Sequence, residues 1–224
     1  MHVFRIVPAA AAAVARPGHP FATHEPAMDD ANVPDDPLAL LHEWLRDGEG
    51  LGKPNPNAMT LATVDPDGRP SARIVLLKGL DERGAVFFTN RASRKGRALA
   101  AHPRAALVML WDELGRQAIV EGAVSLVGDE ESDAYFASRE RASQVGAWAS
   151  RQSEPVASRA ALDEAFLACE ARFEGGDVPR PPHWGGYRVA LETITLWESR
   201  PFRLHDRFRY ERDGRGWKRQ RLFP

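Results

Sequence analysis

The sequence predicts a β-dominated α+β protein, an antiparallel barrel carrying helices on its flanks. Strand-like runs follow one another through short turns, and the regular strand–helix alternation of a parallel sheet is missing. Helical patterns are confined to four stretches, two before Gly128 and two after it. At 224 residues, 43% hydrophobic and 27% charged, the chain is long enough for one generous domain or two small ones.

The elements follow in order. D-D-P-L-A-L-L-H-E-W-L-R-D-G reads as a helix, with Asp36 as cap, Pro37 in the first turn, and Leu38, Leu41 and Leu45 on one face. Two β-rich runs around D-P-D-G, from Ala58 to Lys78, signal a hairpin. D-E-R-G turns the chain into A-V-F-F-T-N, a third strand, and S-R-K-G-R-A-L-A-A-H-P is a short helix stopped near Pro103. A-A-L-V-M-L-W and R-Q-A-I-V-E-G-A-V-S-L-V are strands joined at E-L-G. D-E-E-S-D-A-Y-F-A-S-R, with acids in its first turn, and S-R-A-A-L-D-E-A-F-L-A-C-E-A-R-F are helices. Y-R-V-A-L-E-T-I-T-L-W alternates as one strand, followed by R-L-H-D-R-F-R-Y and, after D-G-R-G, by G-W-K-R-Q-R-L-F.

No apolar run approaches the ~20 residues that span a bilayer, so no membrane partner is expected. The single cysteine, Cys169, excludes an intrachain disulfide, suits a reducing cytoplasm, and falls where a buried structural thiol is expected. Residues 1–30 read as a disordered or spurious leader, with M-D-D-A-N opening the structured region. Residues 200–224 hold nine bases against three acids, or +6, leaving −7 on the remainder of a chain of net charge −1. That basic tail interleaves aromatics, yet its cations alternate along strand patterns with acids among them, which argues against a nucleic-acid surface.

G-E-G-L-G-K at 48–53 imitates a phosphate loop but follows a helix and runs into Pro54 and Pro56, so it is a loop. The histidines lack metal spacing, and no nucleophile elbow is present; no metal is expected. Cations on apolar strands are more informative. Arg73 and Lys78 flank I-V-L-L, Thr89 and Asn90 end the next strand, and Ser93, Arg94 and Lys95 open a helix. Hydroxyls, free N–H groups and fixed cations at a helix start suit a phosphate. Tyr135 and Arg139, four apart, share a face if their helix persists, and with Ser143 they suit a second phosphate. In R-L-H-D-R-F-R-Y, a strand would align Arg203, His205, Arg207 and Arg209 on one face, unfavourable unless something anionic lies opposite.

R-I-V-L-L-K, V-F-F-T-N, S-R-K, R-Q-A-I-V-E-G, S-R-Q-S, H-W-G-G-Y-R-V and R-L-H-D-R-F, in this order, resemble the pyridoxine/pyridoxamine 5′-phosphate oxidases. The similarity runs from about residue 36 to the terminal R-L-F-P. The resemblance implies a single FMN-binding split β-barrel domain over residues 31–224, acting as a homodimer with FMN at the subunit interface. It also implies oxidation of pyridoxamine or pyridoxine 5′-phosphate to pyridoxal 5′-phosphate, with O2 reduced to hydrogen peroxide.

The same resemblance implies roles for residues. Arg73, Thr89, Arg94, Lys95 and Ser153 would hold the FMN phosphate and ribityl chain, while Gln117, Gln152, Trp197 and Arg207 would bind toward the flavin ring. Ile74, Val75, Leu76, Leu77, Lys78 and Phe88 complete the expected cofactor-binding set. Lys78, Tyr135, Arg139 and Ser143 match the substrate-phosphate positions, and Arg203 and His205 those set against the pyridine, where catalysis is expected. Three departures stand out. Phe88 occupies a position often held by Tyr, Asn55 replaces a common acid, and residues 1–35 contain no R-x-x-Y element of the kind that covers substrate in some members. The alternative is a relative that uses FMN for another oxidation, such as the phenazine-pathway oxidases. Retention of Lys78, Tyr135, Arg139 and R-L-H-D-R favours the vitamin B6 substrate.

Overall fold

The computed structural model describes residues 28–224; the first 27 residues of the expected leader lie outside the described residues. Met28 is fully buried in the main core. Helix α1 spans Pro37–Glu49, where Asp36 caps by accepting from Leu38 N at 2.9 Å, and it buries Leu41, Trp44 and Leu45. Strands β1 (Ala58–Val64) and β2 (Pro70–Leu76) form the expected hairpin, and β3 (Gly79–Asp81) and β4 (Gly84–Asn90) form a second. Helix α2 (Arg94–Ala101) precedes β5 (Arg104–Trp111) and β6 (Arg116–Leu126). Helices α3 (Asp129–Ala137), α4 (Arg141–Ala149) and α5 (Arg159–Arg172) then lead into β7 (Trp184–Val189), β8 (Thr193–Glu198), β9 (Asp206–Asp213) and β10 (Gly216–Arg221).

Every pairing is antiparallel, in the order β10-β9-β8-β6-β5-β1-β2, with β7, β4 and β3 branching from β6. The branch lies within one strand: β6 pairs β8 over Arg116–Glu121 and β7 over Val124–Leu126. Gly122 sits at the crossing, where a Cβ would lie 2.0 Å from the Ala190 carbonyl oxygen, so only glycine lets the chains pass. The result is a barrel split between β2 and β4, which are joined through β3 but share no ladder.

A single cross-strand row, Leu61–Leu107–Val120–Ile194–Tyr210, lines the interior, and each member is fully buried. Because side chains alternate, the adjacent positions face outward. Leu110, Gln117, Trp197 and Arg207 form one such outer row across four strands. A second cluster, with Phe136, Val145, Val178 and Trp184 at its centre, joins α3, α4 and α5 to the barrel, and Cys169 is half-buried against it. Among the described residues no helix is long and apolar enough to cross a membrane.

Three expectations change. Y-R-V-A-L-E-T-I-T-L-W is two strands, because the chain passes from the β4 sheet to the β9 sheet at Ala190–Glu192. Tyr135 and Arg139 do not share a helix: α3 ends at Ala137, and Arg139 lies in the link to α4. Within R-L-H-D-R-F-R-Y only Asp206 onward is strand. Arg203 ends a 3₁₀ turn and His205 precedes β9, so only Arg207 and Arg209 share a strand face.

Candidate active site

The split between β2 and β4 opens into a cleft of about 670 Å³. Its walls are Ile74, Val75 and Leu76 of β2, Phe88, Thr89 and Asn90 of β4, Lys95 of α2, and the α3–α4 region with Tyr135, Arg139 and Ser143. β2 ends the strand path, so its outer edge offers unpaired N–H and C=O groups to the cleft. Leu77 differs: its backbone N–H and C=O are both taken by Asn57, at 2.9 and 2.7 Å, and it is buried.

Beside one end of the cleft, cations converge: Lys95 lines the wall, and Arg73 and Arg94 stand near it without lining the cleft, as does Ser153. Lys95 Nζ donates to Gln152 Oε1 at 2.6 Å and approaches Thr89 Oγ1 at 3.2 Å and Ser93 Oγ at 3.3 Å, all neutral groups. Burial, reinforced by the nearby Arg73 charge, pushes its pKa down to about 8. Arg73 donates to Thr63 Oγ1 (2.7 Å), Ser71 Oγ (2.6 Å) and Leu61 O (3.2 Å), and burial with the Arg94 charge lowers its pKa too. Arg94, more exposed, pairs with Asp65 at 2.5–2.9 Å, and that bond holds the Asp65 carboxyl below its usual range. Ser153 follows Gln152 on an exposed turn with φ 78°.

At the other end an aromatic stack forms the floor. Phe88 lies 4.1 Å from Tyr135 and 5.6 Å from Trp184, ring to ring. The absent phenol at Phe88 therefore leaves the packing intact. Arg139 lies 4.8 Å over the Trp184 ring, its Nη1 is buried without a hydrogen-bond partner, and burial lowers its pKa. Lys78 Nζ stands 5.7 Å from the Tyr135 ring. Gly146 adds open space, since a Cβ there would meet nothing within 4 Å. Trp184 was not singled out from the sequence, although it stands in the H-W-G-G-Y-R-V motif; burial at a strand start is invisible in a motif.

The remaining expected site residues are elsewhere. Gln117, Trp197 and Arg207 stand side by side on the outer face of β6, β8 and β9, three to five strands removed from β2 along the sheet. His205 packs its ring 4.6 Å from Trp197, and Arg203 is exposed on the turn before it. None of these lines the cleft.

A sequence family described as pyridoxamine 5′-phosphate oxidase matches residues 52–171. The chain belongs to that family. A second family, described as the pyridoxine 5′-phosphate oxidase C-terminal dimerisation region, matches residues 184–224. The pyridoxine/pyridoxamine 5′-phosphate oxidase of Azorhizobium caulinodans is 55% identical over 87% of this chain and 93% of its own length. That of Rubrobacter xylanophilus is 57% identical over 84% of this chain and 87% of its own length. Among solved structures, PhzG from Burkholderia lata, in complex with tetrahydrophenazine-1-carboxylic acid, superposes with a TM-score of 0.82 at 34% identity. The match covers 92% of this chain and all of that one. A pyridoxamine 5′-phosphate oxidase-related, FMN-binding protein from Nostoc punctiforme shares the fold, with a TM-score of 0.66 at 17% identity over 83% of this chain and 96% of that one.

Proposed function

We propose that this family member oxidises pyridoxamine 5′-phosphate and pyridoxine 5′-phosphate to pyridoxal 5′-phosphate as an FMN-dependent homodimer of the cytoplasm. The supporting observation is the cleft's stock of cations without carboxylate partners. Among the described residues Arg73, Lys78, Lys95 and Arg139 make no ion pair, and for three of them, Arg73, Lys95 and Arg139, burial is the first cause of a lowered pKa. Buried, unpaired cations are costly, and dianionic phosphates relieve that cost.

The two ends fit two phosphates. Arg73, Arg94 and Lys95, with Thr89, Gln152 and Ser153, suit the FMN phosphate and ribityl chain, and the open β2 edge at Ile74–Leu76 suits the polar rim of a flavin. Lys78, Tyr135, Arg139 and Ser143 suit the substrate phosphate, with Arg139 Nη1 waiting for an acceptor. FMN, when bound, supplies a hydride acceptor that O2 restores with release of hydrogen peroxide. With FMN and substrate bound, these residues would hold the two rings at near-attack distance.

The outer row of Gln117, Trp197 and Arg207 takes its role from a second copy. That face also bears Ile74 and Leu110, 63% and 58% exposed, an apolar surface that a two-fold partner would cover. A partner seated there brings Arg203, His205, Trp197 and Arg207 against the cleft of the first subunit, so each site draws on both chains.

A phenazine-type oxidation is the second reading, favoured by the match to PhzG. The higher identity to the vitamin B6 oxidases and the phosphate-ready cations argue against it. Aerobic incubation of the FMN-loaded protein with pyridoxamine 5′-phosphate is expected to give the absorbance of the aldehyde product. Turnover of tetrahydrophenazine-1-carboxylic acid without turnover of the amine phosphate would reverse the order of the two readings.

A further inference from the structure

Residues 199–205 link β8 to β9 and carry Arg203 and His205. Phe202 and Arg203 both hold φ at 61°, the left-handed region where side chains are strained, so surrounding contacts must fix the link. Arg200 makes those contacts. Its backbone N–H donates to His205 Nδ1 at 3.0 Å. Its guanidinium grips Asp206, the first residue of β9, and stands 3.7 Å from Glu198, the last residue of β8. It also donates to the Met28 carbonyl at 3.4 Å. Both carboxylates are held in turn, Asp206 by Arg221 at 2.6 Å and Glu198 by the buried Arg116 at 3.2 Å. One side chain therefore bridges the two strand ends while its own backbone holds the imidazole.

The bond to Nδ1 has a chemical consequence. A backbone N–H can only donate, so Nδ1 presents its lone pair, and the neutral ring carries its proton on Nε2. No described residue makes a hydrogen bond to Nε2, which leaves that N–H as a donor for a ligand.

We propose that Arg200 is a positioning residue for the oxidation: it sets His205 as an Nε2–H donor and braces the strained turn that presents Arg203. The proposal rests on the reading above, in which Arg203 and His205 face the substrate's pyridine. Arg200 itself touches neither substrate nor flavin; it acts through those two side chains.

The test uses flavin-loaded protein in anaerobic stopped-flow reduction by pyridoxamine 5′-phosphate. Arg200→Ala is expected to keep its flavin but to lower the maximal reduction rate about 10- to 100-fold, the scale of a lost near-attack geometry. Arg200→Lys recovers part of the rate, since an ammonium can pair with Asp206 but cannot span both carboxylates. Within an Arg203→Leu/His205→Ala background the same Arg200→Ala change costs little, because its effect passes through those residues. In ¹⁵N NMR the wild-type His205 shows a lone pair on Nδ1; Arg200→Ala keeps the backbone N–H, so the mixed tautomers expected there report the loosened turn and not a deleted donor. An unchanged rate in Arg200→Ala, an equal loss in both backgrounds, or a wild-type proton on Nδ1 overturns the proposal. Should Arg200→Ala not fold, Arg200→Lys and Asp206→Asn carry the same comparisons. Should pyridoxamine 5′-phosphate fail to reduce even the wild type, the functional reading falls, and the NMR arm still decides the role of Arg200.

Discussion

The cleft and the C-terminal strands are both rich in arginine and lysine, yet several of those charges are treated in opposite ways. In the cleft Lys78, Lys95 and Arg139, and beside it Arg73, contact hydroxyls, amides and rings, and none makes an ion pair with a described carboxylate. Toward the C-terminus, Arg200, Arg209, Arg219 and Arg221 pair with Asp206, Glu211, Asp35 and Asp30, and Arg116 below them pairs with Glu198 and Asp47. Arg203, Arg207, Arg212, Arg215 and Lys218 make no ion pair among the described residues, and of these Arg203 and Arg207 are expected site residues, while Arg212 lies 4.1 Å over the Trp217 ring. A cation already neutralised holds the fold, and one left open is available to a ligand; Arg94, paired with Asp65 yet expected at the FMN phosphate, stands between the two classes.

Removing a partner from each region should therefore fail differently. Glu198→Gln leaves Arg116 buried with only the half-exposed Asp47 as counter-charge. A loss of about 3 kcal/mol is expected in urea unfolding, the scale for breaking a buried pair from one side. Arg139→Ala removes a cation that has no counter-charge to strand. Stability should stay within about 1 kcal/mol, while kcat/KM for pyridoxamine 5′-phosphate falls about 100-fold, the worth of one or two charge-assisted bonds to phosphate. If Arg139→Ala destabilised as much as Glu198→Gln, the division between the two regions would collapse.

The strands and hairpins were legible because their alternation and turn residues are local, and the cleft cations because charges on apolar strands stand out. The paired network was not legible. Arg116 and Glu198 are 82 residues apart, and nothing in either neighbourhood names the other. The break at Ala190–Glu192 left only a small trace: the apolar positions run Tyr187, Val189, Leu191 and then Ile194, Leu196, so the alternation slips by one residue, and the room for the crossing comes from a glycine on another strand, Gly122. Arg139 was placed on the right cleft by a helix that does not persist; the link between α3 and α4 brings it there instead.

Lys95 gives the comparison a pH axis. Its pKa of about 8 lies below the ordinary lysine value because burial and Arg73 disfavour the charge. A bound phosphate favours that charge, so above pH 8 binding must take up a proton. FMN affinity is then expected to fall up to about tenfold per pH unit above 8, and to be flat below it. The folding contribution runs the other way. The unfolded chain binds more protons than the folded apoprotein above pH 8, so the apoprotein's stability rises with pH toward the ordinary lysine value. Fluorescence titration of flavin binding across pH 7–10, with Lys95→Met removing the slope, checks the first; thermal unfolding of the apoprotein checks the second.

The smallest effect belongs to Arg209. As part of the row that began as four aligned cations, it shares its strand face with Arg207 but pairs with Glu211 at 3.1 Å, both side chains more than 40% exposed. Such a pair contributes on the order of 0.5 kcal/mol, screened by salt. Arg209→Ala is expected to leave flavin content and kcat/KM within about twofold and unfolding within about 0.5 kcal/mol. Arg207→Ala, two residues away on the same face, should cost flavin retention, measured as the flavin left after gel filtration. Equal losses from the two would mean that the row works as a field of charge, and that pairing does not mark which cations are free to bind.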